Sequence, residues 1–358
     1  MKMKFLREIF NNLNKLSREN KLLAPWKPVI SAADEIFFGT DKVTILPHIL
    51  DSMDIKRYMS LVIFALVPVV SGAVYLWGLR VLAVIAVSYI FGGLVETVFA
   101  IARKKEIHEG FLVTGLLFPL ILPPNVPLWM VALGVVFGVV FGKEVFGGTG
   151  RNIFNPAIVG RIFLSVAFPS AMTTFWSTPF NQGLGGFLKF SADAVSQATP
   201  LTAFRNEHLS AGFWNLLLGG SSGCIGETFR LWIIVGGIFL IFAKISNWRL
   251  PLSALLSVAV CAGIGNFFAP DKFAPVLFQI FSGGLLLGAF FMLTDPVTSP
   301  FTKAGKWICG VLFGFLVVLI RGLSGYVEGV MFSLLLINVF SPLIDRLVLG
   351  VKYPKIKK

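Results

Sequence analysis

The feature that most constrains this chain is a series of long apolar segments that recur along most of its length. A helix needs about 20 mostly apolar residues to cross the hydrocarbon core of a bilayer. The mean hydropathy is +0.81 and 56% of the 358 residues are hydrophobic, above the apolar share of about 45–50% in soluble domains. We therefore predict an all-α polytopic membrane protein with about ten transmembrane helices. The predicted spans are residues 58–78, 81–101, 110–122, 127–142, 154–168, 229–246, 251–268, 275–293, 307–320 and 329–349.

Several of these spans are short or are interrupted by proline. The third span ends at Leu122-Pro123-Pro124, the fifth begins after Asn155-Pro156, and the eighth runs into Thr294-Asp295-Pro296. Irregular backbone persists at membrane depth only where it is buried in protein or lines a cavity. The interruptions therefore predict broken helices beside an internal site.

The distribution of lysine and arginine predicts the orientation, because positively charged loops stay on the cytoplasmic side. With the N-terminus inside, 24 of the 31 lysines and arginines fall in cytoplasmic segments and six in outer ones. Both termini are then cytoplasmic. This orientation places the long polar segment 169–228 on the outer face.

An internal repeat is indicated by the fourth and ninth spans, which share a tryptophan followed by a Gly-x-x-x-Gly sequence. Each follows a proline-interrupted segment. Five spans per copy is an odd number, so the two copies would be inverted in the membrane, an arrangement that places binding sites near the midplane. The alternative is a coincidence between two helices rich in Gly and Phe. The matching residues are Trp129, Gly134 and Gly138 in one copy and Trp307, Gly310 and Gly314 in the other.

These observations predict five parts of the chain. The first is a cytoplasmic N-terminal extension, in which Met1 to Asn20 is predicted to form an amphipathic helix. The helix is predicted either to lie on the anionic inner leaflet or to dock on a partner or on the chain's own core. The parts are residues 1–57 (extension), 58–168 (first repeat), 169–228 (outer segment), 229–349 (second repeat) and 350–358 (basic cytoplasmic tail).

Charge and cysteine content exclude two other classes of function. The net charge of +13 does not indicate nucleic-acid binding, because the basic residues flank apolar spans and form no groove interleaved with aromatics. The three cysteines, Cys224, Cys261 and Cys309, lack the spacing of metal ligands. They are predicted to be small buried residues, and no metal site is predicted.

Four segments spread over nearly the whole chain resemble one family of membrane redox proteins. In this order they resemble the B-type component of the sodium-translocating NADH:quinone reductase, which is related to the D-type component of the Rnf electron-transport complex. The long extension and the Asp-Ser-x-Asp-x-Lys-Arg sequence before the first span favour the B type. The segments are Pro47 to Arg57, Lys143 to Asn152 with Asn155-Pro156-Ala157, Asp193 to Thr199, and Thr294-Asp295-Pro296 with Gly305-Lys306-Trp307.

The third segment is similar to the family's flavin-attachment motif, Asp-x-x-Ser-Gly-Ala-Thr. The resemblance implies that a separate FMN transferase joins the phosphate of FMN to Thr199. Asp193, Ser196 and Ala198 also match, whereas Gln197 stands where the family commonly has glycine. Glycine accepts either sign of φ, so a side chain here restricts the loop. The alternative is an unmodified Ser/Thr loop.

The glycine-rich second segment implies, by the same resemblance, a site for a second, non-covalent flavin, riboflavin. Asn152 and Asn155 would then be its amide partners, because an amide both donates and accepts hydrogen bonds. The alternative for these asparagines is capping of a half-helix.

The resemblance also assigns a quinone site to Gly92, Gly93, Glu96 and Phe163. The glycines would let a flat ring or another backbone approach closely. A carboxylate inside a membrane is costly and usually functional, and in this family Glu96 is tied to sodium dependence as well.

A second acid, Asp345, matches a family residue linked to sodium. The alternative is a local pair with Arg346 or with the basic tail. A third family acid is replaced here by Ser31. The resemblance therefore implies an ion pathway through Glu96 and Asp345 only.

Taken together, the resemblance implies a component of a sodium-pumping NADH:quinone reductase in the bacterial inner membrane, relaying electrons from FMN through riboflavin to quinone. No dinucleotide-binding fingerprint appears, so partners of the A, C, D, E and F type would complete the complex, in contact with membrane lipid. Two alternatives stay open: an Rnf-type protein acting between ferredoxin and NAD, and a flavin-free channel or secondary transporter on the same repeat.

Overall fold

The computed structural model describes residues 55–104, 110–180, 185–191 and 198–353, together with Asn12 and Lys15. The described part is helical and contains no strand, which confirms the predicted all-α class. By length and composition, six of its helices can cross a membrane, and three shorter apolar helices accompany them. The chain is thus a multi-pass membrane protein. Apart from Asn12 and Lys15, the predicted surface helix of the extension lies outside the described residues.

The first half of the chain forms five apolar helices, one for each predicted span. The turn between the first two is made by Gly78, whose φ of 90° favours glycine. The fifth begins at Pro156, whose ring suits the first helical position because no N–H partner is needed there. The helices are α1 (Ile55–Trp77), α2 (Arg80–Arg103), α3 (Gly110–Leu120), α4 (Leu128–Gly142) and α5 (Pro156–Ala167).

The described part of the predicted outer segment contains three short α-helices and a 3-10 turn at Gly185–Leu188; the α-helices are α6 (Pro169–Thr174), α7 (Pro200–Glu207) and α8 (Phe213–Leu218). It packs on the predicted outer turns of the helices. The Leu79 N–H donates to the Lys189 carbonyl (2.9 Å), and the Ile225 N–H donates to the Leu122 carbonyl (3.0 Å). The segment and these turns therefore lie at the same end of the bundle, as the predicted topology requires.

The second half also follows the predicted spans, with its third apolar segment broken. Gly283, at φ 63°, separates two short helices there, and a π-helical turn at Gly288–Met292 follows. Such turns are frequent at functional sites. The helices are α9 (Arg230–Phe242), α10 (Arg249–Phe268), α11 (Val276–Phe281), α12 (Leu285–Leu287), α13 (Lys303–Leu323) and α14 (Val330–Lys352).

Helix packing supports the predicted repeat. The contacts of α2 with α4, of α4 with α5 and of α1 with α3 recur as those of α10 with α13, of α13 with α14 and of α9 with α12. Across the halves, α1 packs on α9 and α5 packs on α14. The shared glycines serve different contacts, since Gly138 meets the α5 backbone at Gly160 whereas Gly314 meets α10 at Ala254. The prediction of a repeat is thus supported by helix pairing more than by the glycine motif.

Candidate functional site

Thr199 is the N-cap residue of α7. Its hydroxyl oxygen accepts a hydrogen bond from the Thr202 N–H (3.4 Å) and lies 2.9 Å from the Thr202 hydroxyl. Pro200 follows at the first helical position. Thr199 is only partly buried. The oxygen predicted to carry FMN therefore caps the N-terminus of a helix in the described structure.

The residue before this cap is held against the loop that precedes α9. The Ser222 hydroxyl donates to the Ala198 carbonyl (2.8 Å). A phosphate group is stabilised at a helix N-terminus by the free N–H groups and the helix dipole, so the position suits a phosphoester. Asp193, Ser196 and Gln197 lie outside the described residues.

An inner cavity lies between the two halves of the molecule, at the end of the bundle opposite to α7. Its cavity volume is about 60 Å³, and about 680 Å³ of space that includes open solvent lies between its walls. A hydrogen bond from the Tyr58 hydroxyl to the Ile245 carbonyl (2.8 Å) joins the two halves at its wall. The polar groups that line it include Lys143, Thr149, Asn152, Asn155, Ser246, Thr294 and Asp295.

Asn152 and Asn155 both line the inner cavity, and the side chains of both also form hydrogen bonds with nearby backbone groups. The Asn155 side-chain oxygen accepts from the Ala157 N–H (3.0 Å), which is the helix cap foreseen as the alternative. The Asn152 oxygen accepts from the Gly150 N–H (3.3 Å), and its amide donates to the Phe154 carbonyl (3.0 Å). The Asn155 amide nitrogen has no acceptor among the described residues.

The free polar atoms of the inner cavity fit a flat heteroaromatic ligand. The Ser246 hydroxyl is buried at the wall without a hydrogen-bond partner among the described residues. A buried polar group costs about 1–3 kcal/mol when left unsatisfied, so a bound molecule with donors and acceptors on its edge would relieve that cost. Burial also raises the pKa of the Asp295 carboxyl at the same wall.

Glu96 is joined to the inner cavity through Lys143. The two side chains form a buried ion pair, with exposed fractions of 6% and 3%, and Lys143 lines the cavity. Sequence reasoning missed Lys143. The available signal was a lysine directly after the apolar helix α4 and a carboxylate inside the apolar helix α2, because a buried ammonium needs a carboxylate partner.

Gly92 and Gly93, near Glu96, pack against the aromatic ring of Phe111. A Cβ at Gly92 would lie 2.8 Å from a ring carbon of Phe111 on α3, and one at Gly93 would lie 3.4 Å from that ring. Phe163 makes a different contact, stacking on Phe137 of α4 with ring centroids 4.0 Å apart. With the ion pair of Glu96, the four residues assigned to quinone therefore make three separate sets of contacts in the described structure.

Asp345 anchors the start of α13. Its carboxylate accepts hydrogen bonds from the Thr302 N–H (3.0 Å), the Thr302 hydroxyl and the Phe301 N–H. Neither alternative foreseen for it, a pair with Arg346 or with the tail, is present among the described residues. The carboxylate is nevertheless only partly buried.

A second buried charge cluster, absent from the sequence predictions, lies below α7. The Arg161 guanidinium on α5 is ion-paired with Glu328, which precedes α14, and the pair thus joins the two halves. Glu227 accepts a hydrogen bond from the Cys224 N–H (2.9 Å), while its other carboxylate oxygen has no partner among the described residues. A lone arginine inside a predicted span was the available signal, because it requires a carboxylate partner.

Replacing Glu227 with glutamine is expected to stabilise the protein above neutral pH. Burial, and secondarily the nearby Glu328, raises the pKa of the Glu227 carboxyl. An acid whose pKa is raised by folding contributes stability below its ordinary range, and that stability is lost as the pH rises through the raised value. We expect Glu227→Gln to flatten the pH dependence of the thermal midpoint, while exposed Glu207→Gln leaves it unchanged. Equal profiles for the two variants would contradict this assignment.

The chain is similar to one protein family and to several named proteins. The profile of the NQR2, RnfD, RnfE family matches residues 42–353. The chain is 36% identical to the B subunit of the Na(+)-translocating NADH-quinone reductase of Pseudoalteromonas atlantica, over 90% of this chain and 91% of that protein. Proteins with the same name from Azotobacter vinelandii and Ectopseudomonas mendocina are 36% and 34% identical, each over 96% of both chains.

Proposed function

The chain belongs to the NQR2, RnfD, RnfE family, and from that premise we propose that it is the B-type membrane component of a sodium-pumping NADH:quinone reductase. The observation that carries the proposal is the similarity to relatives of that name along about nine-tenths of both chains. Within the complex, the chain would relay electrons from FMN on Thr199 through riboflavin to quinone, coupled to sodium export.

Thr199 is proposed as the attachment point at the outer end of this path. The transferase would form a bond between the Thr199 hydroxyl oxygen and the phosphorus of the flavin phosphate of a flavin dinucleotide donor. The pyrophosphate bond of the donor would break, the nucleotide would leave, and the hydroxyl proton would pass to a base of the transferase. Because this oxygen also caps α7, the cap must open for the reaction and can then re-form around the phosphoester.

The inner cavity is proposed as the riboflavin site. When bound, flavins supply carriers of one or two electrons, and the protein supplies position and electrostatics. Asn155 would offer its free amide N–H groups, Ser246 its unpaired hydroxyl, and Asn152 would shape the wall through its two backbone contacts. Lys143 would place a positive charge beside the ligand while holding Glu96.

The quinone and ion roles follow the family resemblance. Gly92, Gly93, Glu96 and Phe163 are proposed at the quinone site, and Glu96 with Asp345 in the sodium pathway. The ion pair of Glu96 with Lys143 supports a link between this region and the inner cavity. The ordered donors on Asp345 support a role in positioning the start of α13 as well.

The predicted five-part division, with both termini in the cytoplasm, is retained in this proposal. The protein would lie in the bacterial inner membrane with residues 169–228 outside. Its partners would be the remaining subunits of the reductase, the FMN transferase, quinone, sodium and membrane lipid. The close packing of the described residues of this segment on the predicted outer turns supports a single outer face.

Thr199→Ala is expected to abolish the covalent flavin. The measurement is the intact mass of the denatured chain after production with the transferase. We expect an FMN-sized adduct on the wild-type chain, none on Thr199→Ala, and an adduct on Thr202→Ala, which removes only the neighbouring hydroxyl. An adduct that persists in Thr199→Ala, or its absence from the wild type, would refute the attachment site.

The family profile also covers RnfD-type proteins, so an Rnf-type protein is the second candidate. Activity of the purified complex with quinone, compared with ferredoxin, separates the two. The flavin-free channel or transporter is excluded if the denatured chain shows flavin fluorescence.

A further inference from the structure

A second cavity, here called the rim cavity, lies at the same end of the bundle as the inner cavity. Its volume is about 200 Å³. Tyr58 and Ile245 line both cavities, but the rim cavity is walled by the starts of α10 and α13 and by the segment that leads into α13. The lining residues that carry the argument are Asn247, Leu250, Pro300, Phe301 and Lys306.

Two tryptophans mark the edge of the rim cavity. Trp248, directly before α10, and Trp307, near the start of α13, meet edge to face with ring centroids 6.1 Å apart. They are 45% and 37% exposed. Tryptophan is enriched where a membrane meets water, because its ring is apolar and its N–H is polar. The pair therefore places the rim cavity at the depth of the lipid headgroups, on the side that the charges predict to be cytoplasmic.

Each of these tryptophans has a basic neighbour in the sequence. Lys306 lines the rim cavity, and its ammonium forms no hydrogen bond or ion pair among the described residues. The Arg249 guanidinium lies 5.0 Å from the centre of the Trp248 ring and 3.5 Å from the Asn247 side-chain oxygen, both of which are neutral groups. The two cations repel each other. The rim thus holds two half-buried positive charges that lack an ion-paired acid within the described structure.

The acid that faces Lys306 is Asp345, and its carboxylate is already used elsewhere. It accepts hydrogen bonds from the Thr302 N–H (3.0 Å) and from the Thr302 hydroxyl. The helices α10 and α13 pack side by side, and neither has an acidic residue in its first turn. An acid in that position would compensate the helix dipole. Positive charge at the start of both helices is therefore left for an external anion.

The surface that continues from the rim cavity along the two helices is apolar and exposed. Phe301, at the cavity itself, is 87% exposed. Exposed apolar patches mark contacts with lipid or with another protein. A ligand with an anionic head and apolar tails would match both the charges and this surface, whereas free phosphate would match only the charges. The exposed apolar residues of the first turns are Leu252 and Leu256 on α10 and Ile308 and Val311 on α13.

We propose that the rim cavity binds the phosphate headgroup of an anionic phospholipid of the cytoplasmic leaflet. Lys306 and Arg249 contact the phosphate, Trp248 and Trp307 lie beside the glycerol, and the acyl chains follow the apolar surface of α10 and α13. Basic pockets between helices on the cytoplasmic side are suited to anionic headgroups. The lipid neutralises the two cations and stabilises the starts of α10 and α13 against each other. This role does not depend on the flavin or quinone sites.

The test measures lipid binding to the purified full chain by native mass spectrometry in detergent. Palmitoyl-oleoyl phosphatidylglycerol, which is anionic, is compared with the zwitterionic phosphatidylcholine of the same acyl chains. The variants Lys306→Gln and Arg249→Gln each remove one charge, and Lys306→Arg keeps it. Lys352→Gln is the matched control, because Lys352 is an exposed basic residue at the same end of the bundle. The thermal midpoint first establishes that each variant is folded.

We expect the wild type, Lys306→Arg and Lys352→Gln to bind phosphatidylglycerol in preference to phosphatidylcholine. Lys306→Gln and Arg249→Gln should each bind phosphatidylglycerol about fivefold more weakly, the contribution of one basic residue near an anionic lipid surface. An excess of inorganic phosphate should not displace the lipid. Equal binding of the two lipids, an equal loss in Lys352→Gln, or displacement by inorganic phosphate would each overturn the inference.

Discussion

Replacing Lys143 with methionine is expected to destabilise the protein by about 3–5 kcal/mol, because removal of one partner leaves a buried charge uncompensated. Glu96 is 6% exposed and pairs with this ammonium. Methionine is also unbranched and is only one heavy atom shorter than lysine, so packing changes little. The three cysteines, of which Cys224 and Cys309 are buried, report unfolding when they react with a thiol-specific dye during heating in detergent.

The double variant Lys143→Met with Glu96→Gln distinguishes charge from packing. We expect it to regain most of the lost stability, because both charges are then gone and two neutral groups remain. Lys303→Met serves as the matched control, since Lys303 is exposed at the same end of the bundle. If Lys143→Met unfolds at the same temperature as this control, the ion pair does not contribute as described.

Replacing Gly160 with valine is expected to cost about 3 kcal/mol or more, because inserting methyl groups into a tightly packed contact forces backbone movement. A Cβ at Gly160 would lie 2.5 Å from the Gly134 carbonyl oxygen and 2.9 Å from the Phe118 ring. The first obstacle is backbone and cannot rotate away. Helices that meet through small residues approach closely in membranes, and valine would separate α4 from α5.

Gly350→Ala is the control for this substitution. A Cβ at Gly350, on α14, meets nothing within 4 Å, so alanine should be neutral there or stabilising by up to about 1 kcal/mol through its helix propensity. The dye-based thermal midpoint measures both variants. An unchanged midpoint for Gly160→Val would show that α4 and α5 do not approach as closely as the structure indicates.

Much of the fold could be predicted because hydropathy is a local property. Each predicted span became a helix or, for residues 275–293, a broken helix. The proline interruptions located the irregular backbone near Asn155 and Asp295, and both residues line the inner cavity. The predicted alternative for Asn155, a helix cap, was confirmed as well, because capping depends on residues adjacent in sequence.

The site could be predicted only in part. Motif resemblance pointed to Asn152 and Asn155, which line the inner cavity, whereas Lys143 and Ser246 were missed as cavity residues because their significance depends on neighbours distant in sequence. Glu96 and Lys143 are 47 residues apart, and Arg161 and Glu328 are 167 apart. No local pattern indicates which buried cation meets which carboxylate.

By itself the sequence determined that the chain is a helical membrane protein, where its spans lie, and which segments its charges predict to be outside. Each of these follows from the free energy of moving short segments between water and lipid, which depends on composition within a window of about 20 residues. Only the tertiary structure decided that Lys143 joins Glu96 to the inner cavity and that Arg161 meets Glu328 across the two halves. Those contacts depend on the packing of helices from both halves, which no single segment encodes.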